Sequence, residues 1–242
     1  MQIYANTDKG KVRSINQDAF FIDTLSVNTA VAIVCDGMGG ANAGDIASKT
    51  AVDIISKYIK NSYSPTMTSD QITRLIGNAV ASANIEIYSM SQRDEKYSGM
   101  GTTVVTAIVR DKEVIICNVG DSRAYLINDE IIQITKDHSM VQSLVESGKI
   151  SPEEARVHPE KNVITRALGV ESNVLVDSYV LELQQNEKLL LCTDGLSNYT
   201  DGTDIVNIVN NINLKDVPDL LIEKANQGGG RDNITAAVIS SL

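Results

Sequence analysis

Two early stretches place apolar side chains at three- and four-residue spacing. Over residues 43 to 60, Ile46, Ala47, Thr50, Ala51, Ile54, Ile55, Tyr58 and Ile59 share a face. Over 70 to 90, Ile72, Leu75, Ile76, Ala79, Val80, Ala83 and Ile87 do the same, so both stretches predict amphipathic helices. Ser69 or Asp70 is the expected N-cap of the second. The pattern then changes to compact β-rich runs, TTVVTAIV (102–109), EVIICNV (113–119), RAYLI (123–127) and IIQI (131–134). Connections of three residues at 110–112 and 128–130 suit hairpins, so the block reads as one antiparallel meander. Apolarity loosens over 137 to 169, where Ser151-Pro152-Glu153-Glu154 has the spacing of a capping box and predicts a short helix in a small helical insertion. The apolar run KLLLC (188–192), helices near 203–212 and 216–226, and a closing strand NITAAVI (233–239) complete the chain. Helices and strands segregated in blocks predict an α+β domain with antiparallel sheets covered by helices, not a doubly wound parallel sheet.

No low-complexity linker and no internal repeat divides the 242 residues, which predicts a single domain over 1–242. The formal charge of −10 disfavours nucleic acid as a partner, and two Phe with no Trp leave few stacking platforms. Two histidines, His138 and His158, are too few for a three-histidine zinc site. Cys35, Cys117 and Cys192 lie within or at the end of apolar runs and read as buried thiols of a reducing cytoplasm. The opening MQIYANTDKGKVR has no apolar leader core, and no run approaches the roughly 18 apolar residues of a membrane span. A cytoplasmic protein with no membrane segment is expected.

The candidate chemistry lies in aspartates at the ends of apolar strands. AVAIVC runs into Asp36-Gly37, IICNV into Gly120-Asp121-Ser122-Arg123, KLLLC into Thr193-Asp194-Gly195, and the last strand opens with Asp232-Asn233. One Asp-Gly is ordinarily a turn. Four acidic sites beside buried strands converge if the strands share a sandwich, and converging buried carboxylates need compensation. A ligand set of carboxylates, carbonyls and water selects hard ions, Mg²⁺ or Mn²⁺. Gly37 would leave its own carbonyl accessible to an ion or water. Two ions about 3.5 to 4 Å apart could share a water and aim it at phosphorus. Arg13, just before a strand-like segment, offers a guanidinium that matches phosphate oxygens. The stretch from Gly37 to Gly44 lacks the Lys-Ser/Thr of a P-loop and the spacing of a dinucleotide site. Gly228-Gly229-Gly230 reads as a turn that lets Asp232 reach the centre.

Eight motifs occur in order: Arg13-x-x-Asn16-Gln17-Asp18, Asp36-Gly37-Met38-Gly39-Gly40, Gly101-Thr102-Thr103, Gly120-Asp121-Ser122-Arg123, Thr135-x-Asp137-His138-Ser139, Thr165-Arg166-Ala167-Leu168-Gly169, Thr193-Asp194-Gly195-Leu196 and Asp232-Asn233-Ile234-Thr235. Together they resemble the metal-dependent Ser/Thr protein phosphatases, type 2C (PPM), in their short bacterial form, over about residues 6 to 239. The resemblance implies a four-layer α-β-β-α sandwich with a flap at about 140–165 beside a metal centre at one end. It implies an enzyme that hydrolyses phosphoserine and phosphothreonine in proteins through a water bridging two divalent ions, Mn²⁺ or Mg²⁺. Asp36 would bridge the ions, the Gly37 carbonyl would bind one, and Asp194 and Asp232 would complete the other's shell. Asp18 would act through coordinated waters, Asp121 would help hold a third ion, and Arg13 would bind the substrate phosphate. The partners implied are phosphorylated proteins, a Ser/Thr kinase and its substrates among them, met by a monomer. The alternatives are a phosphatase of an anti-sigma antagonist and a catalytically dead relative that binds phosphoproteins. Met38 departs from the many eukaryotic relatives with His after Asp-Gly, a residue proposed there as general acid. The remaining imidazoles, His138 and His158, are expected to be structural or flap-associated.

Overall fold

The structure, a computed structural model, describes residues 1–39 and 43–241. Gly40 of the Asp-Gly motif, with Ala41 and Asn42 of the glycine-rich stretch, lies outside the described residues. Eleven strands are described: β1 (Gln2–Asp8), β2 (Asp18–Ser26), β3 (Thr29–Met38), β4 (Gly101–Thr102), β5 (Val104–Arg110), β6 (Glu113–Val119), β7 (Arg123–Ile127), β8 (Ile131–Gln133), β9 (Asp177–Glu182), β10 (Lys188–Cys192) and β11 (Ile234–Ser240). The helices are α1 (Gly44–Ser62), α2 (Ser69–Arg93), α3 (Met140–Glu146), α4 (Pro152–Val157), α5 (Asp194–Ser197), α6 (Gly202–Asn211) and α7 (Val217–Gln227). One antiparallel sheet has the order β1-β11-β10-β7-β8; the other runs β2-β3-β5-β6-β9, with β4 paired to β3.

Side-chain alternation along the strands builds three apolar layers. In β3, Ala30, Ala32 and Val34 point between the sheets, against Leu189, Leu191, Ala237 and Ile239 of the other sheet. Its odd positions, Val31, Ile33 and Cys35, face α1 and α2. On the far side Leu190, Cys192, Ala236 and Val238 meet α6 and α7. Strands buried on both faces read as continuous apolar runs, which is why KLLLC and AVAIVC carry no polar alternation. The expected four-layer α+β sandwich is therefore the observed one, and all three thiols are buried and free.

Two expectations need correction. The run from 102 to 134 is not one meander: β5 and β6 belong to one sheet, β7 and β8 to the other. The chain changes sheet at Gly120, whose φ of +108° and lack of a Cβ, which would stand 2.5 Å from Thr103 Cγ2, permit the crossing. The N-cap of α2 is Thr68, not Ser69 or Asp70. Gln71 at N3 closes a reciprocal capping box with it. The capping box predicted at Ser151 is present, with Pro152 opening α4. The strands β1 and β9 are additions to the sequence reading.

The cap assignment predicts that Thr68→Ala lowers unfolding free energy by about 1 kcal/mol in urea denaturation, while Ser69→Ala has a smaller effect. Equal losses would contradict the assigned cap.

Candidate active site

Asp18 opens β2 and pairs directly across the ladder with Asp36 near the end of β3. Like charges opposed in this way repel, so the backbone around them is firmly held. The Asp36 carbonyl accepts from Thr103 N and Thr102 Oγ1, both at 2.9 Å, and Asp36 N donates to Thr103 Oγ1 at 3.0 Å. Gly37 N donates to the Gln17 carbonyl at 3.1 Å. A Cβ on Gly37 would meet Gly44 O at 2.1 Å, so close backbone approach is a further reason for glycine there.

The second sheet supplies the partners of Asp18. Its Oδ2 accepts from Thr193 Oγ1 at 2.9 Å and Thr235 Oγ1 at 2.6 Å, so one carboxylate ties the ends of both sheets. Asp194 begins α5, and its Oδ2 accepts from Asn198 Nδ2 at 3.0 Å. Asp232 Oδ2 accepts from Arg13 NH2 at 2.8 Å. The next residue, Asn233, holds the arginine loop: its Nδ2 donates to the carbonyls of Lys9 and Ile15, and its Oδ1 accepts from Gln17 N. Gly195 allows the two acidic turns to meet, since a Cβ there would stand 1.9 Å from Asn233 O. Gly230 accepts at its carbonyl from Lys11 N and Val12 N, so the triple glycine also anchors the loop before Arg13.

These elements enclose a cleft of about 270 Å³ lined by Arg13, Asp36, Gly37, Asp121, Asp194 and Asp232, with Asn162 and Ile164 of the flap at its edge. Of the site residues expected from sequence, six line the cleft; Asp18 is not among the lining residues and is almost fully buried. Met38 lines the cleft, whereas His138 and His158 do not. The supports that sequence reasoning left without a role are Thr193, Thr235, Asn233, Gln17 and Thr102-Thr103. All fall inside the eight motifs.

Electrostatics give the cleft its character. Burial, with neighbouring carboxylates adding to it, raises Asp36 well above the ordinary carboxylate range. Burial likewise pushes Asp18 up to about 7, against the two threonine hydroxyls that favour its ionised form, and Asp121 up to about 8. Asp194 rises to about 6, first through burial and then through Asp232. Asp18 Oδ1 and Asp194 Oδ1 are buried without any hydrogen-bond partner. Orphaned carboxylate oxygens and acids forced toward protonation are what a hard divalent cation relieves. Among the described residues no three His, Cys, Asp or Glu groups already close on one point.

The sequence pattern of the Protein phosphatase 2C family matches residues 8–217. A serine/threonine phosphatase, stp, of Listeria monocytogenes serotype 4b is 41% identical over 235 residues, 96% of this chain and 93% of that one. The crystal structure of the serine/threonine phosphatase Stp1 from Staphylococcus aureus superposes with a TM-score of 0.92 at 37% identity, covering 98% and 93% of the two chains. The catalytic domain of the serine threonine protein phosphatase PstP in complex with 2 manganese ions superposes at 0.83 with 31% identity, covering 98% and 96%. With the acidic cleft at the end of a four-layer sandwich, these likenesses over nearly the full length show that the chain belongs to the protein phosphatase 2C family.

Proposed function

We propose that this protein removes phosphate from phosphoserine and phosphothreonine in proteins, in a reaction dependent on Mn²⁺ or Mg²⁺. The observation that carries the reading is the juxtaposition of Arg13 with Asp36, Asp194 and Asp232 in one cleft. Relatives named serine/threonine phosphatases and a neighbour solved with manganese support it. Asp36, the Gly37 carbonyl, Asp194 and Asp232 would hold two ions, with Asp18 acting through water and Asp121 toward a third. Bound there, the ions supply Lewis acidity that activates water toward phosphorus.

The chain's own groups do the rest. Arg13 is the one cation lining the cleft among the described residues, and its planar donors match the phosphate oxygens. Asn233 holds the loop that carries it. No cysteine lines the cleft, which argues against a cysteinyl-phosphate route. No imidazole lines it either, so the proton for the departing serine or threonine oxygen is left to water in the cleft or to another group there. Among the described residues no helix is long and apolar enough to cross a membrane. A monomeric catalytic domain over 1–242 with a flap at about 140–165, acting in a bacterial cytoplasm on a Ser/Thr kinase and its substrates, completes the reading.

Phosphate release from para-nitrophenyl phosphate and from a phosphothreonine peptide should require Mn²⁺ or Mg²⁺. Full activity after chelation, or in Asp36→Asn, would sink the proposal. Arg13→Ala should lower kcat/KM for the phosphopeptide by roughly 10²-fold, the scale of losing one preorganised donor to developing charge, and steady-state kinetics would read the loss.

The folded-state pKa values of Asp18, Asp121 and Asp194, about 7, 8 and 6, stand above the ordinary 3.8. In metal-free protein the folded state therefore holds protons that the unfolded chain releases. This contribution to stability is complete below about pH 4 and fades as pH rises through about 6 to 8. Calorimetry in chelator should show Tm falling between pH 5 and 8. Free Mn²⁺ at 100 times its dissociation constant should add about 2.7 kcal/mol per site at pH 8, and a Tm indifferent to Mn²⁺ would count against the centre.

A further inference from the structure

The motif Thr135-x-Asp137-His138-Ser139 lies outside the cleft, yet its four residues hold the chain on either side of it. Thr135 Oγ1 accepts from Ala124 N at 3.0 Å, and Asp137 takes both Nε and NH2 of Arg123, which secures β7 just after the sheet crossing. Ser139 caps α3, the first helix of the flap. His138 stands between these two duties and is only 7% exposed.

His138 grips Gly120 at two points. Its backbone N donates to the Gly120 carbonyl at 3.0 Å, and Gly120 N donates to Nδ1 at 2.9 Å. A backbone N–H has only a proton to offer, so Nδ1 presents a lone pair and the ring proton is on Nε2. Arg166 NH1 stands 3.0 Å from Nε2, and both groups are donors. Asp177 reconciles them: its Oδ1 accepts from Arg166 at 2.7 Å and its Oδ2 lies 3.3 Å from Nε2. Burial lowers the imidazole pKa, consistent with the neutral form. The His138 carbonyl meanwhile accepts from Thr165 N at 2.8 Å, and Met140 N donates to the Val163 carbonyl. These bonds close the foot of the flap on either side of Ile164, which lines the cleft together with Asp121.

We infer that His138 is a positioning residue, which uses its Nδ1 lone pair on Gly120 and its Nε2–H on Asp177 to fix Asp121 in the cleft and to join it to the foot of the flap. The inference rests on the metal-centre reading above and adds to it a lever outside the ligands. The logic is that of an outer group orienting a ligand, whose loss typically weakens metal affinity by 10- to 100-fold.

The tautomer is read in the wild-type protein by long-range ¹⁵N–¹H correlation of the ring. The Nε2–H form is expected at pH 7; an Nδ1–H form or an imidazolium overturns the inference. His138→Asn keeps an acceptor where Nδ1 stood, while His138→Gln moves its amide to the Nε2 position. Calorimetric Mn²⁺ titration should show a dissociation constant about tenfold higher for one site in His138→Gln, with most of the loss restored in His138→Asn. In an Asp121→Asn background His138→Gln should add nothing further. An unchanged Mn²⁺ titration in His138→Gln, no restoration by Asn, or additive losses with Asp121→Asn would each overturn the assignment. Wild type that binds no Mn²⁺ would instead defeat the metal-centre reading itself. The ring tautomer stands as a separate test should a variant not fold.

Discussion

Asp18 and Asp36 face one another across neighbouring strands, and among the described residues neither forms an ion pair. Nearly everything at this end of the sandwich answers that repulsion. Thr193 and Thr235 reach from the other sheet to one oxygen of Asp18, and Thr102 and Thr103 pin the backbone of Asp36. Glycines at 37 and 195 let backbones approach to distances that no side chain would allow. The hydrogen bonds determine where the carboxylates stand without neutralising them. A cleft that keeps close-set acids at fixed positions, holding protons where no cation is bound, is preorganised for cations, and its cost to the metal-free fold is recovered on binding.

The same sandwich explains which parts could be read from the chain. The helices α1 and α2 show in sequence because each buries one stripe, from Ala47 to Ile59 and from Ile72 to Ile87. The central strands show because both of their faces are buried. The edge strands β1 and β9 do not: Tyr4, Asn6, Ser178 and Val180 sit at margins where partial exposure mixes polar and apolar residues. The crossing at Gly120 was hidden for another reason. Alternation says that a residue faces a core, and it does not say which of two sheets the strand joins, so a hairpin-length gap and a change of sheet look alike.

The acidic positions were legible because strand ends are recognisable and because their motifs resemble a known family. Their supports were not, since Thr235 and Asp18 are separated by 217 positions and pair only after both sheets have formed. The role of Gly37 was half-legible: carbonyl access follows from the lack of a Cβ, but the contact with Gly44 depends on where α1 begins. Likewise Thr68 outcompeted Ser69 as the cap because Gln71 lies at the one position that can return its hydrogen bond.

The strand β11 lies between β1 and β10, so the last strand along the chain enters the interior of a sheet that includes the first. Pairings of such sequence separation are slow to form, because a long loop must close before any contact rewards it. During synthesis a ribosome-bound chain lacking β11 has neither Thr235 nor the strand that positions Asp232, and β1 remains without its neighbour. The pairing of β11 with β1 and β10 therefore also completes the acidic end of the sandwich, since it brings Thr235 to Asp18.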